Sequence, residues 1–286
     1  MPQITVNGVR LYYEEAGQGP ALLFLHEFAG DYRSWAPQVR FFSRRYRCIV
    51  YSARGYEPSE VPAEPARYSQ ANAVGDALGV LEALGIEKAH LCGLSMGSFT
   101  TLFFGLAHPD RVRSLTVAGG GYGAGGNRQA FARIMEAQAA RLIHEGMERG
   151  GAEYAEGPAR VQLRNKDPQG FSEFRAQFLS HNALGAANTL RGIQCQRPDV
   201  FTLETELKAC DLPTLIMLGD EDAPGMQGSL FLKRCLRRSG LVVFPRSGHV
   251  INLEEPALFN QHLLDFLTAV DGGAWGERDP KALAEL

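Results

Sequence analysis

Leu91-Cys92-Gly93-Leu94-Ser95-Met96-Gly97 is a G-x-S-x-G pattern between two apolar runs. Ala89 to Cys92 in front reads as a strand, and Ser98 to Ala107 behind reads as a helix. A serine nucleophile must sit on a turn sharp enough to lift its hydroxyl clear of the backbone. Glycines at 93 and 97 leave room for such a turn, where a Cβ would meet neighbouring chain. The helix behind Ser95 would aim its free N–H groups and positive dipole end at a forming anion. Strand, turn and helix together favour a nucleophile over a junction that merely needs small residues.

Outward from that turn, the chain alternates. Gln3 to Val6 and Val9 to Glu14 flank Asn7-Gly8, which is a hairpin signal. Ala21 to His26 and Cys48 to Tyr51 are short continuous apolar runs, as expected of strands buried on both faces of a parallel sheet. Helical spacing appears over Ser34 to Arg45. It is clearer over Ser69 to Leu84, where Ala71, Val74, Leu78, Leu81 and Leu84 recur and Gly85 closes the run. Val112 to Val117 is a further strand. The alternation implies right-handed β-α-β crossovers.

The rhythm breaks at Gly119-Gly120-Gly121-Tyr122-Gly123-Ala124-Gly125-Gly126, which reads as a linker. A phosphate loop would end in Gly-Lys-Ser or Gly-Lys-Thr, and Asn127-Arg128 stands there instead. From Arg128 to Leu207 the pattern is helical, with candidates over Gln129 to Arg149, Phe171 to His181 and Leu184 to Cys195. The sheet pattern resumes at Pro213 to Gly219 and Gly240 to Phe244. Helices are expected over Gly228 to Arg238 and from Pro256 to Val270. The tail from Asp271 is expected to be loosely ordered or draped on the surface. The predicted fold class is α/β, a mostly parallel sheet flanked by helices with an inserted all-helical cap. Its parts are a core over 1–124, a cap over 125–207 and a second core part over 208–286.

Bulk properties exclude several classes. The 286 residues are 45% hydrophobic and 21% charged, as in a globular protein that needs no disulfide or structural metal. A net charge of −3 offers no basic field for nucleic acid. No apolar run is long enough to span a membrane, and the first residues lack a secretory signal pattern. The five cysteines lack C-x-x-C spacing and read as free thiols, which points to a cytoplasmic protein. The expected partner is a small-molecule substrate, with no cofactor or metal. A homo-oligomer is compatible with the sequence.

A serine hydroxyl needs a base, and the base needs an orienting group. His249, in Ser247-Gly248-His249-Val250 between the last strand and the last helix, is the candidate base. His90 reads as a structural histidine of the strand before the turn. The orienting acid comes from Gly219-Asp220-Glu221-Asp222, where three carboxylates crowd together and both Asp220 and Asp222 compete. The order serine, acid, histidine suits a strand-turn-helix nucleophile. For the oxyanion, the expected backbone donors are the N–H groups of Met96 and of Phe28, the latter in His26-Glu27-Phe28-Ala29-Gly30.

These segments, with Arg54-Gly55 and Glu255-Pro256, resemble the α/β-hydrolase superfamily over nearly the whole chain. The resemblance implies that the acid is the last residue of the Gly-x-x-Asp pattern, Asp222, and that a helical cap follows the sixth strand. Relatives with an aspartate nucleophile, the haloalkane dehalogenases and epoxide hydrolases, are set aside by Ser95. Serine-bearing relatives include esterases, lactonases, C–C hydrolases, perhydrolase-type enzymes and some acyltransferases. The chain departs from the family at Glu27, where glycine is usual. Glu27 either turns outward to pair with an arginine or lines the pocket.

The expected activity is hydrolysis of an ester, thioester or lactone of a small, largely apolar acyl compound through an acyl-enzyme. The apolar preference rests on Phe131, Ile134, Met135, Phe171, Phe174 and Phe178. Alternatives are C–C bond hydrolysis of a vinylogous diketone, with Arg54, Arg128 or Arg191 holding a carboxylate, a perhydrolase-type reaction, or a small-molecule receptor on the same fold.

Overall fold

A computed structural model describes residues 2–121, 123, 128–279 and 281. Eight strands form one sheet in the order β1-β2-β4-β3-β5-β6-β7-β8. They are β1 (Gln3–Val6), β2 (Val9–Ala16), β3 (Ala21–Leu25), β4 (Arg47–Tyr51), β5 (Ala89–Leu94), β6 (Val112–Ala118), β7 (Thr214–Gly219) and β8 (Ser239–Phe244). β1 and β2 join through Asn7 and Gly8, both at positive φ, which closes the tight hairpin. β2 runs antiparallel to its neighbours, and every pairing from β4 to β8 is parallel. The carboxyl ends of β3 to β8 therefore share one edge, and every loop carrying a candidate catalytic group leaves from it.

The continuous apolar runs are buried on both faces, as their composition predicts. Side chains alternate between faces along a strand. Leu22, Phe24, Cys48, Val50, Cys92 and Leu94 join one core cluster with Trp35, Phe259 and Phe266. Leu23, Leu25, Ile49, Tyr51 and Leu91 join another with Val74, Ala77, Val80 and Phe104. These partners come from the 3-10 turn Tyr32–Trp35 that leads into α1 (Ala36–Phe42), and from α2 (Gln70–Ala83), α3 (Met96–Ala107) and α12 (Pro256–Asp271). Ser69 caps α2, its side chain accepting from Asn72 N.

Between β6 and β7 the described elements are helical: α4 (Arg128–Gly146), α5 (Ala152–Ala155), α6 (Val161–Lys166), α7 (Pro168–Leu179), α8 (Ala183–Thr189) and α9 (Glu204–Ala209). The expected long helix to Arg149 stops at Gly146, which sits at φ +69°, and a π turn over Met147–Gly151 follows. The insertion shares the first core cluster through Leu142, Phe174, Phe178 and Leu190. The anticipated domain edge at 124/125 lies outside the described residues. The edge at 207/208 falls inside α9, where Leu207 packs with Ile216 and Phe231 of the sheet domain.

After β7 come α10 (Ala223–Cys235), which starts five residues earlier than its apolar pattern suggests, and α11 (Ile251–Glu254). The start of the tail is docked rather than loose. Trp275 Nε1 donates to Arg238 O at 2.9 Å and its ring meets Phe266 edge-on at 4.7 Å. A Cβ on Gly240 would come within 2.7 Å of that ring, so glycine in β8 admits the tail.

Candidate active site

Ser95 stands alone between β5 and α3, at φ 53° and ψ −112°. A non-glycine residue in that region is strained by about 1–3 kcal/mol and persists only where surrounding contacts hold it. Those contacts are specific. Ser95 N donates to Ala118 O at 2.8 Å, and Ser98 Oγ donates to Ser95 O at 2.6 Å. A Cβ on Gly93 would lie 2.1 Å from Gly97 O, and one on Gly97 would lie 2.0 Å from Leu25 O. Both glycines are thus obligatory, and the second lets α3 press against the end of β3.

The candidate acid and the candidate base meet. His249 Nδ1 and Asp222 Oδ2 are 2.9 Å apart, with both residues buried. Asp220 is turned away to solvent and accepts from Ser247 N at 3.1 Å. Backbone N–H groups of Arg246 and Ser247 hold its carboxyl below the usual range. The crowded carboxylates are therefore sorted, one under the imidazole and one tying two loops together. Glu221 N also donates to Ser247 O at 3.0 Å.

The imidazole reaches the serine side of the sheet edge. Gly119 follows Ala118, whose carbonyl holds Ser95 N, and a Cβ there would lie 3.4 Å from His249 Cε1. Gly119 to Gly121 are buried, and a Cβ on Gly121 would lie 2.7 Å from Gly225 O. The opening of the glycine-rich stretch thus gives close approach to His249 and α10 instead of acting as a slack linker. Its remainder, apart from Gly123, lies outside the described residues.

Glu254 was not expected from the sequence. Its carboxylate accepts from Gly248 N at 2.6 Å and from Val250 N at 3.1 Å, bracketing His249. Burial raises its pKa while the two N–H groups oppose that rise. Its position five residues after His249 was the only signal available.

The loop after β3 is pinned at one peptide. Ala53 N–H donates to His26 Nε2 at 3.0 Å, so the ring proton sits on Nδ1 and is donated to Glu27 O at 2.7 Å. Gly30 N donates to the same carbonyl at 3.2 Å. In a planar trans peptide the N–H points opposite the C=O. Holding Glu27 O therefore sets the direction of the Phe28 N–H. Phe28 O accepts from Tyr56 OH at 2.9 Å. Met96 opens α3, where first-turn N–H groups have no intrahelical acceptor.

Burial pushes the His26 pKa down to about 4, below the ordinary value of 6.5. The sign follows from proton counting. Above pH 6.5 both folded and unfolded rings are neutral, so the shift costs nothing. Between pH 6.5 and 4 only the unfolded chain takes the proton, and stability falls by up to about 3 kcal/mol. Urea unfolding at pH 7.5 and 4.5 is expected to show this loss in the wild type and much less of it in His26→Gln. Equal losses in both would assign the acid sensitivity elsewhere.

Glu27 pairs with an arginine, as one of the two expectations had it, but not by turning outward. It points inward, nearly fully buried, and pairs with buried Arg160 just before α6. The arginines proposed as carboxylate holders are engaged otherwise. Arg54 pairs with Asp76 at 2.5 Å, Arg191 with surface Glu136 at 2.7 Å, and Arg128 donates to the carbonyls of Arg197 and Cys195. Of the apolar set, Phe174 and Phe178 are buried, whereas Ile134 is 62% exposed. His90 is structural as read, bonded to Ser114 Oγ at 2.8 Å and Asp271 Oδ1 at 3.1 Å. Among the described residues, no group of three His, Cys, Asp or Glu is placed to hold a metal ion. No helix among them is long and apolar enough to cross a membrane.

Residues 20–256 match the model of the alpha/beta hydrolase fold family. The chain belongs to that family. Over 259 residues, covering 88% of this chain and 90% of the relative, it is 30% identical to 3-oxoadipate enol-lactonase 1 of Acinetobacter baylyi. It is 38% identical over 113 residues to Epoxide hydrolase 2 of Siraitia grosvenorii, a match spanning 39% of this chain and only 36% of that relative. Among solved structures, a thermophilic esterase from Thermogutta terrifontis superposes with a TM-score of 0.82 at 25% identity, covering 94% of this chain and 98% of the other.

Proposed function

We propose that this chain is a serine hydrolase cleaving an ester, thioester or lactone of a small acyl compound through an acyl-enzyme. The observation that carries the reading is the His249–Asp222 pair at the sheet edge beside the strained Ser95 turn. Asp222 accepts the proton-bearing Nδ1 of His249, which leaves Nε2 as the basic nitrogen. Ser95 Oγ attacks the substrate carbonyl and its proton passes to Nε2. The carbonyl oxygen becomes an oxyanion facing the N–H groups of Phe28 and Met96. Collapse expels the leaving group, which takes the proton from His249. Water then repeats the sequence on the acyl-serine and frees the acid.

The similarity to a lactonase and to an esterase supports acyl chemistry. Ser95 separates the chain from an aspartate-based epoxide opening. The aromatic side chains of Phe28, Tyr154 and Phe178 pack together above the oxyanion loop and support an apolar acyl portion. We further read residues 125–207 as the cap that closes over this loop. Arg54, Arg128 and Arg191 are engaged as described, so none of the three lends support to the C–C hydrolase reading.

A fluorophosphonate is expected to add once, on the Ser95 peptide, and p-nitrophenyl butyrate to release about one equivalent of p-nitrophenol in a fast first turnover. Mass spectrometry and stopped-flow absorbance read the two outcomes. No adduct and no ester turnover would sink the proposal.

A further inference from the structure

We infer that Arg160 is a positioning residue: through Glu27 it fixes the oxyanion loop, so the helical insertion supplies part of the oxyanion hole. The inference rests on the serine-hydrolase reading above. Glu27 occupies the residue directly before the Phe28 N–H, and its side chain is held from across the chain by Arg160. Both partners are buried, and Arg160 is backed by the Phe174 ring at 5.0 Å. Removing a buried charge from water is costly, so such a pair holds its geometry closely or not at all.

The same loop is held at two more points. Phe28 meets Tyr154 at 5.2 Å and Phe178 at 5.9 Å between ring centroids, and buried Asp31 bonds His181 Nε2 at 3.1 Å. All three anchors come from the insertion. The stretch that begins with Arg160 also touches the other two catalytic loops. Gln162 bonds Glu221, the residue directly before Asp222, and Lys166 Nζ bonds Ser247 Oγ at 2.9 Å, two residues before His249. A single segment, residues 160–166, therefore braces the oxyanion, acid and histidine loops together. Glycine at position 27, usual in relatives, would free the loop to set its own geometry. This chain replaces that freedom with a charged strut.

The pair acts on a donor used when the oxyanion forms, so its loss is expected in kcat rather than in KM. Glu27→Gln and Arg160→Met are expected to lower kcat on p-nitrophenyl butyrate by about 10- to 100-fold, less than outright removal of an oxyanion donor, with KM within about threefold. A trifluoromethyl ketone, which forms a tetrahedral oxyanion on the serine, should lose affinity by the same factor. Arg160→Lys should recover part of both. The double variant Glu27→Gln/Arg160→Met removes both charges, so it should regain thermal stability over either single variant without regaining kcat.

Wild-type kcat in the double variant, a change in KM alone, or a double variant that does not fold would each overturn the inference. The first and last would make the pair structural, and the second would make Arg160 a substrate contact. A wild type with no burst and no fluorophosphonate adduct would instead refute the hydrolase reading itself.

Discussion

Ser95→Ala is expected to lower kcat on p-nitrophenyl esters by about 10⁴-fold or more, leaving only what binding and the oxyanion donors give over water. The change removes one oxygen from a residue 9% exposed. It leaves the backbone contacts of the turn, the Ser95 N to Ala118 O bond and the Ser98 Oγ bond, untouched. Alanine suffers the same positive φ as serine, so the melting temperature should move by only a few degrees. That combination separates chemistry from folding. Substrate binding should persist, since the hydroxyl reacts and does not anchor the acyl group. Measured with fluorophosphonate adduct formation as a second readout, a variant retaining even one per cent of wild-type turnover would mean that another group is the nucleophile. The cysteines offer little competition. Burial raises the pKa of Cys48 to about 12 and that of Cys92 well above its ordinary value, which keeps both as thiols.

What the sequence disclosed and what it hid divide along a physical line. Features set by neighbours in the chain were legible: the Asn7-Gly8 hairpin, the buried strands, Ser69 at the start of α2, and the glycines around Ser95. Each expresses a local backbone demand or a two- or four-residue period. The resemblance to the family favoured Asp222 over Asp220, and the contact of Asp222 with His249 supports that choice. The Glu27–Arg160 and Asp31–His181 contacts join residues 133 and 150 positions apart, and no periodicity encodes such a pairing. The exposed position of Ile134 was hidden for a similar reason. An apolar residue on a helix shows which stripe it belongs to, but not whether another surface covers that stripe. Of the two expectations for the tail, glycine and polar composition suggest looseness, while one Trp275 with one indole N–H suffices to drape its start on β8.

The second large effect concerns the acid, and it contrasts two aspartates separated by one residue. Asp222→Asn is expected to lower kcat by about 10⁴-fold, although nearly all the atoms remain in place. An amide can present its NH₂ to His249 Nδ1. The ring proton then moves to Nε2, the nitrogen that must take the serine proton. Loss of the carboxylate also removes the negative charge that stabilises the imidazolium formed in the transition state. Asp220→Asn should keep kcat within about threefold, because Asp220 faces solvent and touches Ser247 N, not the imidazole. Its cost falls on folding. The Asp220 carboxyl is held below its ordinary pKa by backbone donors, so its ionised form adds stability above the unfolded value, and that stability is lost as pH falls through the folded one. Asparagine cannot titrate, and this part of the acid sensitivity should disappear with it. Ester kinetics at neutral pH and urea unfolding across the carboxylate range, run on both variants, test the assignment. Equal kcat losses would mean that both carboxylates act on His249, and a larger loss in Asp220→Asn would exchange their roles.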